Sequence, residues 1–254
     1  MTEPSEDLPD RVILTRPAGR NEALAARLTD SGVAVEIMPA IAIEAVEGLN
    51  ASRLMAEQTP EDWVFFVSVN AVRMADQLCP LTDWPARHFV AVGRATASAL
   101  AEAGRPPEIV PTPGAEETEG LLARLNPEWL HGRGAWIVRG CGGRDLLRDS
   151  LARMGARVHL LEVYRRLRPP MDVESLATRS QRPLWMVTSP EALTNIVAAA
   201  PSGAVRDWLL NSDLVVINER TRHLAREQGF AGGVLVSGGP DDEAMARVVR
   251  KVFC

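Results

Sequence analysis

The residues best placed to do chemistry lie where a short apolar run gives way to glycines. Arg139-Gly140-Cys141-Gly142-Gly143-Arg144 follows Ala135–Val138 and precedes Leu146, Leu147, Leu151 and Met154, which recur at helical spacing. Backbone amides in a turn that opens a helix attract carboxylate or phosphate. A tight turn without a ligand uses the same residue types. No GK[ST] follows and no GxGxxG is formed, so neither a Walker loop nor a dinucleotide fingerprint is present. Val158–Val163 is then extended and apolar, and it delivers Tyr164, the only tyrosine in the chain. With an ordinary pKa near ~10, a tyrosine can donate a proton to a leaving group at neutral pH. It is equally at home as a packing residue on a strand. Arg165, Arg166 and Arg168 follow, and strand alternation keeps them from all facing one ligand.

Arg16, in Thr15-Arg16-Pro17, stands at another strand-to-helix junction, either in a ligand crevice at a strand's carboxyl end or as a solvated charge. Ser68 and Ser189 begin helices, where capping is the default role of serine. The four histidines (His88, His131, His159 and His223) have no triad spacing and GxSxG is absent, which excludes serine-hydrolase chemistry. Cys79, Cys141 and Cys254 form no CxxC pair and read as incidental thiols in a reducing cytosol. No metal-ligand set is visible.

These junctions recur. Arg16 and Arg139, Gly32 and Gly155, and Val35 and Val158 each lie 123 residues apart, and Thr96 and Thr221 lie 125 apart, as do Gly104 and Gly229. Pairs held at nearly one offset mark an internal duplication. Each copy reads strand, helix, strand, then a buried strand (WVFFVS from Trp63, LWMVT from Leu184), a helix and a further strand. Runs of consecutive apolar residues suit strands covered on both faces, so the expected fold is α/β with parallel sheets in two doubly wound domains. One helix is expected over Thr118–Leu125. Sequence order alone puts the boundary near Gly132–Gly134, whereas Pro39 and Pro169-Pro170 point to domain crossings outside the matched segments.

The 254 residues carry a net charge of −5, with 46% apolar residues and no basic tail, which disfavours nucleic-acid binding. Residues 1–10 read as a disordered acidic tail, unlike a signal peptide. No apolar run approaches the length of a membrane span. The expectation is a soluble, cytoplasmic protein.

Taken in order, VILTRPAG (12–19), FFVSVNAV (65–72), VAVGRATASALAEAG (90–104), IVRGCGGRDLL (137–147), GARVHLLEVYRR (155–166), MVTSPEAL (186–193) and INERTRHLAREQGF (217–230) closely resemble uroporphyrinogen-III synthase across nearly the whole chain. The resemblance implies a cofactor-free, cyclising hydro-lyase of tetrapyrrole synthesis. Its substrate is hydroxymethylbilane, a linear tetrapyrrole with eight carboxylates. The product, uroporphyrinogen III, forms through azafulvene and spiro intermediates with loss of water and inversion of ring D. The family's architecture implies two flavodoxin-like domains, here 11–38 plus 172–254 and 46–160, joined by a two-stranded ladder of 39–45 and 161–171. Tyr164 matches a cleft-facing tyrosine and becomes the candidate general acid. Ser68, Thr96, Ser189 and Thr221 match cleft hydroxyls, and Arg16, Arg139, Gly140 and Gly143 match positions near the site. Asn70 and Gly93 complete the expected substrate-binding set. Two positions depart from the pattern: Val69 replaces a proline, and Asn218-Glu219 replaces a glycine. A monomer is implied, with a transient contact to the preceding pathway enzyme as its macromolecular partner. The rival readings are a non-catalytic small-molecule binding or sensory protein and an inactive relative of the synthase.

Overall fold

The structure, a computed structural model, describes residues 8–111, 118–143 and 145–253. The chain opens with strand β1 (Arg11–Leu14), helix α1 (Glu22–Asp30) and strand β2 (Val35–Ile37). A middle segment follows: β3 (Ala42–Ala45), α2 (Ala51–Glu57), β4 (Trp63–Phe66), α3 (Val69–Leu78), β5 (His88–Ala91), α4 (Arg94–Glu102), α5 (Thr118–Leu122), α6 (Pro127–Leu130), β6 (Gly134–Gly140), α7 (Leu146–Arg153) and β7 (Arg157–Leu167). The last segment holds α8 (Val173–Arg179), β8 (Pro183–Val187), α9 (Pro190–Ala199), α10 (Ala204–Leu210), β9 (Asp213–Val216), α11 (Glu219–Glu227), β10 (Val234–Val236) and α12 (Asp242–Phe253). Most of the expected disordered tail, and Arg144 of the glycine turn, lie outside the described residues.

The protein is α/β with two sheets. Two compact units are present, one formed by the segments through Ala42 and from Leu167 onward, the other by Ile43–Arg166. The first unit's sheet has the order β10-β9-β8-β1-β2, the second's β3-β7-β6-β4-β5. Every described register is parallel. Burial on both faces explains the unbroken apolar runs. In the second unit Val64, Phe66, Phe89, Ala91, Trp136 and Val138 pack with residues of α3 and α4. Their neighbours Trp63, Phe65, Val90, Ala135 and Ile137 pack with residues of α5, α6 and α7. In the first unit Val12, Leu14, Leu184, Met186 and Val215 meet Leu24 and Leu28 of α1 and Met245 and Val249 of α12. Ile13, Trp185, Val187, Leu214 and Val216, of opposite parity, are buried too.

The duplication is visible in the pairing. Val12 pairs with Val35, and Ala135 pairs with Val158, each partner shifted by the same 123 residues. Gly32 and Gly155, which end the matched helices, share a left-handed backbone with φ of 81° and 83°, where a side chain is strained. The units are nevertheless not the copies. β1 and β2 share a sheet with β8 and β9, while β4 and β5 share one with β6 and β7. Gly132–Gly134, the boundary that sequence order proposes, therefore lies inside the second unit. The single helix expected over Thr118–Leu125 ends at Leu122, and α6 begins at Pro127. Proline is tolerated in a first turn and not in an interior, and Asn126 caps the new helix by accepting from Glu128 N at 3.0 Å.

One buried carboxylate ties the second unit's strands at their amino ends. Asp62 is 3% exposed. It accepts from Gly134 N at 3.1 Å, Trp136 Nε1 at 3.0 Å, Thr59 N at 3.1 Å and Thr59 Oγ1 at 2.9 Å. A Cβ on Gly134 would stand 2.6 Å from Asp62 Cγ, so only glycine lets strand and carboxylate approach this closely. Burial pushes the Asp62 pKa up, but the hydrogen bonds from Trp136, Thr59 and Gly134 together outweigh it and leave the pKa lowered. A carboxyl with a lowered folded pKa adds stability above the unfolded value of ~3.9, and that stability is lost as pH falls through the folded value. Asp62→Asn sets amide hydrogens against donors and is expected to lower the unfolding free energy by about 2–3 kcal/mol at neutral pH. Urea denaturation across a pH series checks this: the gap to the parent protein should narrow below pH ~4. A gap independent of pH would refute the charge-based account.

Candidate active site

In the second unit β6 leads outward to β7 and β4 leads the other way to β5. Ligands in open parallel sheets bind beyond the carboxyl ends of the strands where the order reverses, here between β6 and β4. A cavity of about 440 Å³ lies there, lined among others by Ser68, Thr118, Arg139, Gly140, Gly143 and Tyr164. Five of the expected site residues thus come together around one space.

Tyr164 owes its direction to an irregularity. β6 and β7 pair evenly from Gly134↔Arg157 to Arg139↔Glu162, and the next pair is Gly140↔Tyr164. Val163 is an extra residue, a bulge. Simple alternation would turn Tyr164 to the face opposite Val163. With the bulge, Leu161, Val163 and Tyr164 all enter one buried cluster, at 3%, 2% and 3% exposure. The tyrosine hydroxyl then lies 3.1 Å from Ser68 Oγ. Ser68 caps α3, accepting from Ala71 N at 3.1 Å. When Ser68 donates to Tyr164, the tyrosine proton is left to reach a ligand in the cavity. Gly140 makes the room: a Cβ there would stand 2.6 Å from Tyr164 Cε2 and Cζ.

The other expected residues divide. Asn70 sits in the first turn of α3, Gly93 is the N-cap of α4, and Thr96 is buried in α4's first turn. From that stretch Val92 reaches the cavity wall. Arg16, Ser189 and Thr221 belong to the first unit. Arg16 pairs with Asp242 at 2.5 Å and donates to Pro240 O at 2.7 Å. Ser189 caps α9 by accepting from Ala192 N at 3.1 Å, as Ser68 caps α3. Thr221 has no exposure, and its hydroxyl donates to Asn218 Oδ1 at 3.0 Å.

The two departures are absorbed locally. Val69 takes the first helical position that Pro190 takes in α9, and the serine cap is the same in both. Asn218 caps α11 with its side chain where Gly93 caps α4 without one, both on extended backbone with φ of −158°.

Sequence reasoning passed over Thr118, which carries no motif, and Cys141, which lines the cavity inside the glycine turn. Burial first, and then the Glu162 carboxylate, push the Cys141 thiol pKa up. That holds the thiol in its less nucleophilic form. Among the described residues no group of three His, Cys, Asp or Glu side chains could hold a metal ion. No described helix is long and apolar enough to cross a membrane.

Gly140→Ala is expected to cost about 1–3 kcal/mol of stability, because the new methyl overpacks against the ring. Urea unfolding of this variant measures the cost. A loss below ~0.5 kcal/mol, within the scatter of ordinary surface substitutions, would show that the tyrosine ring is not held there.

Comparison with known proteins is consistent along nearly the whole chain. The family model described as uroporphyrinogen-III synthase HemD matches residues 22–247, from the start of α1 into α12. The curated uroporphyrinogen-III synthase of Salmonella typhimurium (strain LT2) is 34% identical over 249 residues, covering 94% of this chain and 99% of the relative. That of Escherichia coli (strain K12) is 31% identical over 246 residues, again covering 94% and 99%. The crystal structure of uroporphyrinogen-III synthetase from Helicobacter pylori 26695 aligns with a TM-score of 0.59 at 15% identity, over 95% of this chain and 99% of that one. A mutant uroporphyrinogen III synthase from the extremely thermophilic bacterium Thermus thermophilus gives 0.57 at 23%, over 95% and 98%. These structural likenesses speak to the fold alone. The family match embraces every strand after β1, the bulged strand and the glycine turn included, and with relatives above 30% identity over nearly their full length it establishes that the chain belongs to the uroporphyrinogen-III synthase family.

Proposed function

We propose that the chain cyclises hydroxymethylbilane to uroporphyrinogen III, with loss of water and inversion of ring D. The observation that carries this is the family match over residues 22–247. The chemistry asks for proton donation to a hydroxyl and for control of which carbon attacks. The hydroxymethyl oxygen on ring A takes a proton and leaves as water, the ring nitrogen gives up its proton, and a neutral azafulvene remains. Ring D attacks through its substituted carbon, and the spiro intermediate fragments and recloses inverted. Tyr164, hydrogen-bonded to Ser68 at the N-terminus of α3, is the proposed proton donor. Amides of the glycine turn and of the α3 N-terminus are the proposed anchors for substrate carboxylates. Holding one reactive conformer against spontaneous closure is the larger part of the task.

In the same reading each unit is a doubly wound, flavodoxin-like domain. Numbered along its own chain, the first unit's sheet has the order 2-1-3-4-5, which supports this. The domains are taken as 11–38 plus 172–254 and 46–160. The connecting ladder is 39–45 with 161–171, supported by the adjacency of β3 and β7 and by Val46 N donating to Val163 O at 3.1 Å. The enzyme is read as cytoplasmic and monomeric, acting on its small-molecule substrate, with at most a passing contact to the enzyme that supplies it.

The test is to supply hydroxymethylbilane and measure the ratio of isomers III and I in the product. Isomer I alone, at the uncatalysed rate, would instead favour a binding protein or an inactive relative. Tyr164→Phe is expected to lower kcat about 100-fold while KM stays within about threefold, the pattern of a lost general acid. An unchanged kcat would assign the proton to another group or to water.

A further inference from the structure

We infer that Arg139 is a positioning residue, whose guanidinium clasps the glycine turn from beneath and does not pair with a substrate carboxylate. Its side chain is only 6% exposed although it borders the cavity. Nη2 donates to Gly143 O, and Nε donates to Gly140 O at 3.3 Å. Asp145 Oδ1 lies 3.6 Å from Nη1, and Glu162 Oε1 lies 3.7 Å from Nε. One positive charge is thus flanked by two carboxylates and two carbonyls of its own surroundings. Asp145 is shared with Arg148, whose Nη1 lies 3.2 Å from the same oxygen. A substrate carboxylate would have to displace one of these oxygens to reach the Arg139 guanidinium.

The turn is folded around this group. A Cβ on Gly143 would stand 2.9 Å from Arg139 Nη2 and 3.0 Å from Cζ, so glycine lets the backbone close over the guanidinium. The other arm is pinned by Cys141 N, which donates to Tyr164 O at 2.8 Å. Gly142, between the two pins, has a left-handed backbone with φ of 74°. A left-handed residue in such a turn lets successive N–H groups converge on an anion. Among the described residues the amides of Gly142 and Gly143 meet no backbone acceptor. The planar fork of arginine suits two carbonyls at once, and a lysine ammonium does not reproduce it. In this reading the turn's amides receive the anion, beside Arg166 on the cavity wall, and Arg139 sets where they point.

The test has two arms. The first is hydrogen exchange in the unliganded protein, which does not depend on what the cavity binds. In Arg139→Gln the Cys141 amide is expected to exchange at least about tenfold faster while amides of the central strand β4 keep their rates. Unchanged exchange at Cys141 overturns the clasp. Where Arg139→Gln loosens β4 as well, Arg139→Lys takes its place with the same criterion. The second arm is kinetic and rests on the hydroxymethylbilane reading. Gly143→Ala is expected to raise KM about tenfold in the parent protein and less than about twofold in the Arg139→Gln background, since the turn is already released there. Effects that multiply across the two variants would make Arg139 a direct carboxylate ligand and overturn the inference. Failure of the parent protein to make isomer III would sink the proposed function and leave the exchange result standing.

Discussion

Val163 is the residue that β7 carries beyond the register of β6, and the site is arranged around the twist that this creates. It turns the tyrosine ring onto the face occupied by α3. The hydroxyl meets a serine already fixed by its role as a helix cap. The ring crosses β6 where a glycine gives it space, and the tyrosine carbonyl anchors the start of the glycine turn. The bulge does not strand its own backbone, because Val46 N donates to the carbonyl of Val163. A single displaced residue thus couples a side chain, a helix N-terminus and a loop that are far apart in sequence.

Much of this was legible beforehand, for physical reasons. Parallel strands covered on both faces must be apolar at consecutive positions, and Trp63–Phe66 and Pro183–Val187 are. The offset between matched residues carried over to strand register, because a repeated sequence repeats its pairing. The direction of Tyr164 was not legible in the strand pattern, and only the family resemblance implied that it faces a cleft. Alternation is the only rule available to a strand in isolation, and a bulge is a property of two strands. Asp62 was missed for a related reason: beyond Thr59 nearby, two of its four donors come from Gly134 and Trp136, and nothing near Asp62 in sequence announces them. For Arg16 a carboxyl partner in a distant helix, Asp242, settled how its charge is balanced in this structure.

On the inference drawn above, Arg139 is a case where counting charges would mislead about recognition. A basic residue beside an acidic substrate invites the inference of an ion pair. Here the guanidinium is covered, and carbonyl and carboxylate oxygens of the protein surround it. A chain with a net charge of −5 can still receive a polyanion when neutral amide dipoles at turns and helix starts do the receiving. Such dipoles are fixed by the fold and need no reorganisation as the ligand arrives.

The way the two copies share out their strands also bears on how the molecule is made. β1 is flanked by β2 and β8, so one side of it has no partner until Pro183–Val187 has left the ribosome. The unit spanning Ile43–Arg166 is continuous and can close before that moment. Synthesis runs from the N-terminus at ~5–20 residues per second, so the first strand waits on the order of ten seconds for its second neighbour. During that interval the unpaired N–H and C=O groups along that side of β1 are open to mispairing.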